Sequence, residues 1–440
     1  MKLRLHLLAF AAIATGAPAL AQDTTDSLER ALADLNSGLV VPQGTNTVRA
    51  DRSTSLGISG EARIRNTWIN PSGAASDQKN VDARLHLNFD FDVNEGASAH
   101  VQLNAHENWG NPGIGPNVAT GEGAPIPGGG NLNAGSINEA YFSANDLFGD
   151  GGTFTAGRKR YTIGAGRILA SDDWNQLPAS YSGVWYAHPA EGWNVNVFMI
   201  TDFFNAAGVN GPFFGTGDTD LWGGHFTWET GELPGVGVLS FTPYVLRLTT
   251  QGVATGTTMW YGAMVSGEVD IVSFDGELVF VDSDRNRAPS TSDFNAWAVD
   301  VDVDLGEWAS DLPGNVSPVL ELGVAQADAN GVAVTPAYHN VAGIYDVQRR
   351  AGAPGVWGGA ADTWQAGIML EPMETWETRF QYIHFDDSTG TGALDASEVD
   401  VSVTKQLNSG VSMWLGWAWV DFNQRSSDAY IIYANISLPF

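Results

Sequence analysis

Apolar and polar residues alternate one by one along most of this chain, and this period of two constrains the fold more than any other feature. One clear segment alternates Val81, Ala83, Leu85, Leu87, Phe89, Phe91 and Val93 with Asp82, Arg84, His86, Asn88, Asp90 and Asp92. Because successive side chains of a β-strand point to opposite faces, such a segment predicts a strand with one apolar and one hydrated face. Segments at 55–68 and 97–108 repeat the pattern on either side of it.

About 18 such segments follow one another from residue 55 to residue 440, and the connections between them alternate in length. The connections after even-numbered segments are mostly short, as at 94–96, 231–236, 270–272, 372–375 and 407–410. Those after odd-numbered segments are mostly long and rich in Gly, Pro, Asn and Asp, as at 109–135, 161–179, 204–218 and 328–360. A soluble β-sandwich or propeller has no reason to sort loop lengths in this way. The pattern predicts an all-β protein, a transmembrane antiparallel β-barrel with short periplasmic turns and long extracellular loops.

The predicted strands lie near 55–68, 80–93, 97–108, 136–145, 153–160, 180–187, 193–203, 219–230, 237–247, 258–269, 273–282, 294–304, 318–327, 361–371, 376–386, 396–406, 411–421 and 428–440. In the strand at 153–160, Arg158 and Arg160 fall in phase with Phe154. Either a bulge at Gly157 reverses the facing of these arginines, or the strand ends earlier. The last strand ends in Phe440, which resembles the assembly signal of outer-membrane proteins.

The composition excludes several classes of protein. The chain has 50 Asp and Glu against 21 Lys and Arg, a formal net charge of −29, and therefore lacks a basic surface for nucleic acid. A mean hydropathy of −0.10 is too polar for a bundle of membrane helices. The absence of Cys excludes a disulfide scaffold, and the 52 Gly and 16 Trp are typical of an outer-membrane barrel.

The N-terminal segment predicts export. Lys2 and Arg4 precede a short apolar run, and Ala19-Leu20-Ala21 is a small-x-small cleavage site, so residues 1–21 are predicted to be a signal peptide. Residues 22–54 are predicted to form a periplasmic leader with a short helix, and residues 55–440 a single barrel domain. Together with the strand pattern, this segment places the chain in the cell outer membrane.

Several basic residues fall in the middle of predicted strands, and nearly all are arginine. An arginine that faces lipid at the bilayer midplane costs about 2–4 kcal/mol, so these side chains are expected to face the lumen unless they lie near an interface. They predict a basic pore constriction at Arg63, Arg65, Arg84, Arg158 and Arg160, with Asp82 on the same faces. The alternative is structural charge balancing, because Glu61, Asp90 and Asp92 share these faces.

Other chemistry is weakly supported by the sequence. His86, His100 and His106 share lumen faces on adjacent predicted strands, but they lack the tight spacing of a metal site. The acidic run at 282–293 lacks the central Gly of a calcium loop, and Asp300, Asp302 and Asp304 follow strand periodicity. No spacing singles out a Ser-His-Asp triad. We therefore expect no enzyme activity, no metal and no cofactor.

Residues 139–186 resemble the core signature of the alginate-export family of outer-membrane porins. In that family an Ala-Tyr strand leads to a Gly-Arg pair, a Gly-x-x-Arg, an Asp-Trp pair and a Gly-Val strand. The corresponding residues here are Ala140-Tyr141, Gly157-Arg158, Gly164 with Arg167, Asp173-Trp174 and Gly183-Val184. The resemblance implies a barrel of about eighteen strands that passes anionic or carbohydrate solutes without energy input. It also implies that Arg158 and Arg167 contribute to the constriction.

Together these observations predict a porin-type channel for passive diffusion of small hydrophilic solutes, in contact with outer-membrane lipid. Two alternatives stay open, a general channel that leans weakly towards cations and a plugged structural or adhesive barrel. Because a barrel of this width needs something to narrow it, the Gly- and Pro-rich loop at 109–135 is expected to fold inwards. The sequence contains no indication of the oligomeric state.

Overall fold

The alternating segments form long β-strands wherever the chain is described. In the computed structural model the described residues are 46–49, 55–70, 78–94, 96–108, 136–171, 173–174, 178–204, 219–250, 256–283, 293–306, 316–327, 343–344, 357, 361–387, 395–423 and 428–440. The predicted signal peptide, the predicted leader helix, the loop at 109–135 and most of the acidic run after Ser283 lie outside these residues. In the described ranges no helix is long and apolar enough to cross a membrane.

Nineteen strands are described, and β2 to β19 form the barrel. Their bounds are β1 Asn46–Arg49, β2 Ser55–Asn70, β3 Gln78–Asn94, β4 Ala97–Asn108, β5 Ser136–Asn145, β6 Thr153–Lys159, β7 Ser180–Ala190, β8 Trp193–Phe204, β9 Thr219–Glu229, β10 Leu239–Thr250, β11 Gly256–Val269, β12 Val272–Ser283, β13 Asp293–Asp304, β14 Ser317–Ala327, β15 Ala361–Met373, β16 Trp376–Asp387, β17 Ala396–Gln406, β18 Ser412–Phe422 and β19 Ala429–Pro439. Strand β1, in the predicted leader, pairs with the start of β2.

Each barrel strand pairs antiparallel with the next, and β19 pairs with β2, so the sheet closes on itself. The seam extends to the last residue, where the backbones of Gly60 and Phe440 exchange hydrogen bonds of 2.8 and 3.0 Å. Gly60 is required at this point, because a Cβ there would lie 2.5 Å from Cζ of Phe440. Closure leaves the barrel without exposed sheet edges.

The predicted all-β barrel fold and its strands are confirmed, with small shifts at strand ends. The short connections lie at the end where β2 begins and β19 ends, called here the termini end; the opposite end is the loop end. Strand β6 ends at Lys159, one residue before the predicted end. The register of β6 is continuous with both neighbours, so Arg158 stays on the face of Phe154, and Arg160 lies beyond the strand end. Gly157 adopts φ 131°, but no bulge reverses the facing of Arg158.

The two faces of the wall differ as the alternation predicts. On β12, Val279 points inwards and is fully buried, whereas its neighbour Leu278 is exposed on the outer face. Trp68, Trp193 and Trp297 are also exposed on that face. A continuous apolar outer surface of this kind is what a lipid-facing barrel presents.

The inner face is not polar throughout, as a fully hydrated lumen would require. Towards the loop end, inward residues of β8 to β12 are apolar, including Ile200, Leu221, Leu246, Leu248, Trp260, Val279 and Val281. They pack against Ile163, Ile168 and Leu169 of the β6–β7 connection and against Trp357 of the β14–β15 connection. A second cluster, around Ile383, Phe385, Val420 and Ile431, packs against Ile344. The wall is apolar where connections fold inwards and bury it.

This arrangement predicts that an introduced arginine destabilises the barrel strongly on the outer face and only weakly on the inner face. Leu278→Arg places a guanidinium on the outer face at mid-strand and is expected to destabilise the barrel in lipid vesicles by about 2–4 kcal/mol. Ser266→Arg places the same group inside, opposite Asp275, and is expected to cost far less. Denaturant titration followed by tryptophan fluorescence measures both free energies of unfolding. Equal losses would contradict the assignment of the two faces.

Candidate pore constriction

The connection between β6 and β7 crosses the interior of the barrel. Its described residues, within 160–179 and called here the inward loop, contact β2 and β3 through Asp173 and Trp174. They contact β12 and β13 through Arg167. Because these strand pairs lie on opposite sides of the barrel, the inward loop spans the lumen. The loop at 109–135, which the sequence favoured for this role, lies outside the described residues.

Three buried arginines of β2 and β3, called here the arginine cluster, hold one end of the inward loop through its backbone. Arg63 donates to the carbonyl oxygens of Asp173 and Trp174 at 2.9 and 3.1 Å. Arg65 donates to Trp174 O at 2.6 Å, and Arg84 to Asp173 O at 3.1 Å. A loop inside a barrel has no strand partner for its carbonyl groups, and the several N–H donors of a guanidinium supply one.

Trp174 packs against the arginine cluster and the neighbouring wall. Its ring lies beneath the guanidinium of Arg65, 3.8 Å from Cζ to the ring centroid. Its other contacts are edge-to-face with Trp414 and Tyr433, at centroid distances of 5.1 and 5.0 Å. A cation above an indole stabilises the contact beyond the hydrogen bond, and more so when desolvated. The loop is therefore fixed by side-chain packing as well as by its backbone.

The side chain of Asp173 joins the arginine cluster to the base of the inward loop. Its Oδ1 accepts from Arg160 at 2.8 Å, and its Oδ2 accepts from Arg84 at 3.1 Å. Arg160 in turn donates to Glu139 on β5 at 3.0 Å. Desolvation within the lumen acts to raise the pKa of Asp173, but the charges of Arg84, Arg63 and Arg160 outweigh it and hold that pKa below its usual range. Asp173 is therefore a carboxylate at neutral pH.

Arg167 holds the other end of the inward loop. Its Nη2 donates to Asp275 and Asp300, and its Nη1 lies 3.2 Å from Glu277. Tyr244 donates to the second oxygen of Glu277 at 2.7 Å. The side chain of Arg167 is 2% exposed and that of Glu277 is 1% exposed, so removal of the arginine charge would leave a buried carboxylate without its cation. This end is held by charge, whereas the arginine cluster holds the other end by hydrogen bonds to the backbone.

Around the inward loop, most of the basic side chains are buried, whereas the acidic side chains bound to them are partly exposed. The side chains of Arg84 and Arg167 are 0% and 2% exposed, and Arg63 and Arg65 are also buried. The carboxylates bound to them stay open to the lumen, with side-chain exposures of 53% for Asp173, 38% for Asp300 and 33% for Asp275. Arg160 and Arg379 are about one third exposed, at 33% and 31%. A solute at the loop therefore meets more carboxylate than guanidinium surface.

The structure brings most of the predicted site residues together, and Arg158 stands apart. Arg63, Arg65, Arg84, Arg160 and Arg167 all contact the inward loop or belong to it. Asp82 lies opposite Arg65 in the β2–β3 register and is fully buried, with a 2.8 Å hydrogen bond from Asn80. Arg158 lies on the outer face of β6, where its Nε donates to Ser182 at 3.1 Å.

The lumen histidines have separate partners. His100 lies 2.6 Å from Asp90 and stacks on Tyr141, and His106 lies 3.6 Å from Asp82. His86 lies 4.0 Å from Glu61. In the described ranges no group of three or more His, Asp or Glu side chains is placed to hold a metal ion.

Sequence reasoning missed two parts of this site. In the sequence, Trp174 is notable only as part of an Asp-Trp pair in the family signature. Its role as the residue whose carbonyl oxygen accepts from Arg63 and Arg65 was not predicted. The described residues of the β14–β15 connection were not predicted to enter the lumen, yet the Ile344 amide donates to Asp400 at 2.8 Å and Trp357 is fully buried. One signal in the sequence could have indicated that connections enter the lumen. The inward positions of β8 to β12 are apolar, whereas a wall in contact with water would be polar at these positions.

Comparison with known proteins adds to this geometry. No family model and no curated protein matches the sequence. Among solved structures, Pseudomonas aeruginosa OccK9 (OpdG) has 13% identity and a TM-score of 0.59, covering 87% of this chain and 98% of that one. Acinetobacter baumannii OccAB1 has 12% identity and a TM-score of 0.58, covering 88% and 96%. Pseudomonas aeruginosa OpdK, solved with vanillate, has 12% identity and a TM-score of 0.57, covering 87% and 98%.

These structures are outer-membrane porin barrels. At such low identity the likeness shows a shared fold, and the class defined here is a closed 18-stranded barrel of the porin type. The inward loop and its anchors must be interpreted from this chain's own residues.

The contacts of Arg65 predict what releases the inward loop. Arg65→Gln removes a charge-assisted hydrogen bond and the cation above Trp174, which together correspond to roughly 1.5–3 kcal/mol of anchoring. We expect tryptic cleavage after Arg160, which Asp173 binds, to accelerate by about 10-fold or more, measured by mass spectrometry of fragments from detergent-solubilised protein. Arg158→Gln is the control and should leave the cleavage rate unchanged. Equal rates in both variants would contradict the anchoring role of Arg65.

The pKa of Asp173 predicts how the loop responds to acid. A carboxyl whose folded pKa lies below its unfolded value of about 3.9 stabilises the fold at higher pH and loses that contribution as pH falls through the folded pKa. The attachment of Asp173 to Arg84 and Arg160 should therefore persist through mild acid and weaken below about pH 4. Ion current through bilayer-inserted protein, titrated with Asp173→Asn as control, measures this change. A transition near pH 6 that Asp173→Asn abolishes would contradict it.

Proposed function

We propose that this chain is an outer-membrane channel for passive diffusion of small hydrophilic solutes, narrowed by the inward loop. The observation that carries the proposal is the loop held across the lumen at both ends, by the arginine cluster on one side and by Arg167 on the other. A barrel that served only as a scaffold would need no charged, partly exposed residues along such a crossing. Export through a signal peptide at 1–21 is part of the proposal, and catalysis is not.

The accessible charge favours the alternative of a channel that leans towards cations. The arginine cluster and Arg167 direct their N–H groups to loop carbonyls and wall carboxylates, so little of their surface meets a solute. Below the loop, β13 presents Asp300, Asp302 and Asp304 on one inward face, and Glu321 lies opposite Asp302. Carboxylates lining a narrow, poorly solvated passage attract cations and exclude anions.

The constriction predicted from the arginines takes a different form in this proposal. Arg63, Arg65, Arg84 and Arg167 position the inward loop, and Arg160 is the member of the predicted set whose side chain is partly exposed to solute. The alginate-export resemblance implied that Arg158 and Arg167 are pore residues, whereas Arg158 lies on the outer face. The comparisons support the porin class without that family, and we propose neither alginate nor another polyanion as the solute.

The proposal predicts the sign of the reversal potential. Refolded protein in a planar bilayer under a tenfold salt gradient should give a cation-selective potential. Asp302→Asn removes one exposed inward carboxylate and should move the potential towards zero. Asp282→Asn on the outer face of β12 is the matched control and should have no effect.

Two results would contradict this proposal. An anion-selective potential in the unmodified protein would restore the arginine-lined constriction as the selective element. Absence of any current, in protein shown by circular dichroism to be folded, would favour the plugged structural barrel.

A further inference from the structure

A groove of 540 Å³ crosses the outer face of the barrel wall from β6 to β10. Its walls are formed by apolar side chains, among them Val184, Val197, Met199 and Val245. Arg247 on β10 is the one charged residue among the described residues that line it. We call it the Arg247 groove. It joins an apolar slot to a single cation on a surface that faces lipid.

Gly224 on β9 forms the floor of the groove. In the strand register it lies between Val197 of β8 and Val245 of β10, whose side chains are exposed on the outer face. A Cβ at Gly224 would lie 3.0 Å from the Asn196 carbonyl oxygen and 3.1 Å from Cγ1 of Val197, so glycine keeps this floor bare. The slot is one strand wide, between neighbours about 10 Å apart. This width suits a single acyl chain.

Arg247 faces outwards where the groove approaches the loop end. It lies two residues beyond Val245 and opposite Trp222, which is also exposed on the outer face. Within the described ranges its side chain forms no ion pair and no hydrogen bond. Of the described outward carboxylates, Asp220 and Asp282 come nearest in the strand register, and neither pairs with it. A cation on a lipid-facing wall destabilises the barrel unless an anion compensates its charge.

The height of Arg247 on the wall brings it within reach of lipid headgroups. Trp193, Trp228 and Phe241 are exposed near the termini end, where such aromatic side chains mark one membrane interface. Arg247 lies six residues beyond Phe241 on β10, which is about 20 Å along a strand. With a strand tilt of roughly 35–45° and an apolar band about 25 Å tall, Arg247 lies in the half nearer the loop end. A long arginine side chain extends from there to the headgroups of that leaflet.

From these observations we propose that the Arg247 groove binds one lipid of the loop-end leaflet, whose headgroup carries a phosphate without a neutralising cation. The phosphate accepts two hydrogen bonds from the guanidinium, whose planar fork matches phosphate oxygens. One acyl chain of the lipid lies over Gly224, between Val197 and Val245. The site is on the outer wall, so the inference does not depend on what crosses the lumen.

A lipid fits this surface better than a second copy of the chain does. The outer face of a neighbouring barrel is convex and would bridge a slot one strand wide without filling it. It would also have to present a carboxylate at the height of Arg247. A phospholipid supplies the anion and the narrow apolar group in one molecule and at the correct separation across the interface.

Native mass spectrometry of the full chain in amine-oxide detergent tests the headgroup contact. The probes are phosphatidylglycerol and phosphatidylcholine with identical acyl chains, and we expect one phosphatidylglycerol to bind about tenfold more tightly. Arg247→Gln should weaken that binding by about tenfold, the equivalent of one charge-assisted hydrogen bond. Lys79→Gln removes an exposed cation above Trp68, elsewhere on the outer face, and as the matched control should leave the affinity unchanged.

A second pair of variants tests the acyl slot. Val245→Trp fills the groove from its exposed wall and should also weaken phosphatidylglycerol binding by about tenfold, because the acyl chain loses its contact with the floor. Val299→Trp, exposed on the outer face of β13, makes the same change outside the groove and should have no effect. Both positions face lipid, so the larger side chain does not disturb the packing of the lumen.

Four results would overturn the inference. Equal affinity for the two lipids, or equal losses in Arg247→Gln and Lys79→Gln, would remove Arg247 as the specific headgroup ligand. Displacement of the lipid by inorganic phosphate, with no effect of Val245→Trp, would show an anion site without an acyl slot. Dimers or trimers that Arg247→Gln dissociates would assign the groove to an interface between copies of the chain.

Discussion

The hydrogen bonds from the arginine cluster to the carbonyl groups of Asp173 and Trp174 are the interaction on which the interior of this barrel depends. An 18-stranded barrel is too wide for its own side chains to fill, so a connection has to enter the lumen. Such a segment lacks strand partners for its backbone, and each unsatisfied carbonyl in a desolvated site destabilises it. Guanidinium groups from the wall satisfy these carbonyls, because each offers several N–H donors in a fixed planar geometry.

This use of arginine reverses the charge that a solute meets. Three like charges on two neighbouring strands are tolerated because Glu61 and Asp173 lie among them. Once the guanidinium groups face the inward loop, the exposed surface belongs mainly to carboxylates on the loop and on β12 and β13. The cation preference of the proposed channel therefore follows from how the arginines are used.

The inward residues of the barrel wall are apolar or polar according to what covers them. Where Leu169 and Trp357 enter the lumen, inward positions of β9 to β12 are Leu, Val and Trp, and where the lumen stays open they are Asp, Ser and Thr. Solved porins share the barrel fold at 10 to 13% identity. Loops and lumen residues can then diverge on a common wall, so function has to be derived from the site.

The sequence by itself determined the barrel, because alternation with period two and the sorting of connection lengths are local properties of consecutive residues. It also identified Arg63, Arg65 and Arg84 as a cluster on adjoining inward faces. Tertiary structure alone decided what the cluster binds, since Trp174 lies 111 residues from Arg63 along the chain. The outer facing of Arg158, in contrast, follows from its phase with Phe154, because β6 pairs with β5 and β7 without a bulge. Periodicity gives the face of a residue within a strand, and only packing across the lumen gives its partner.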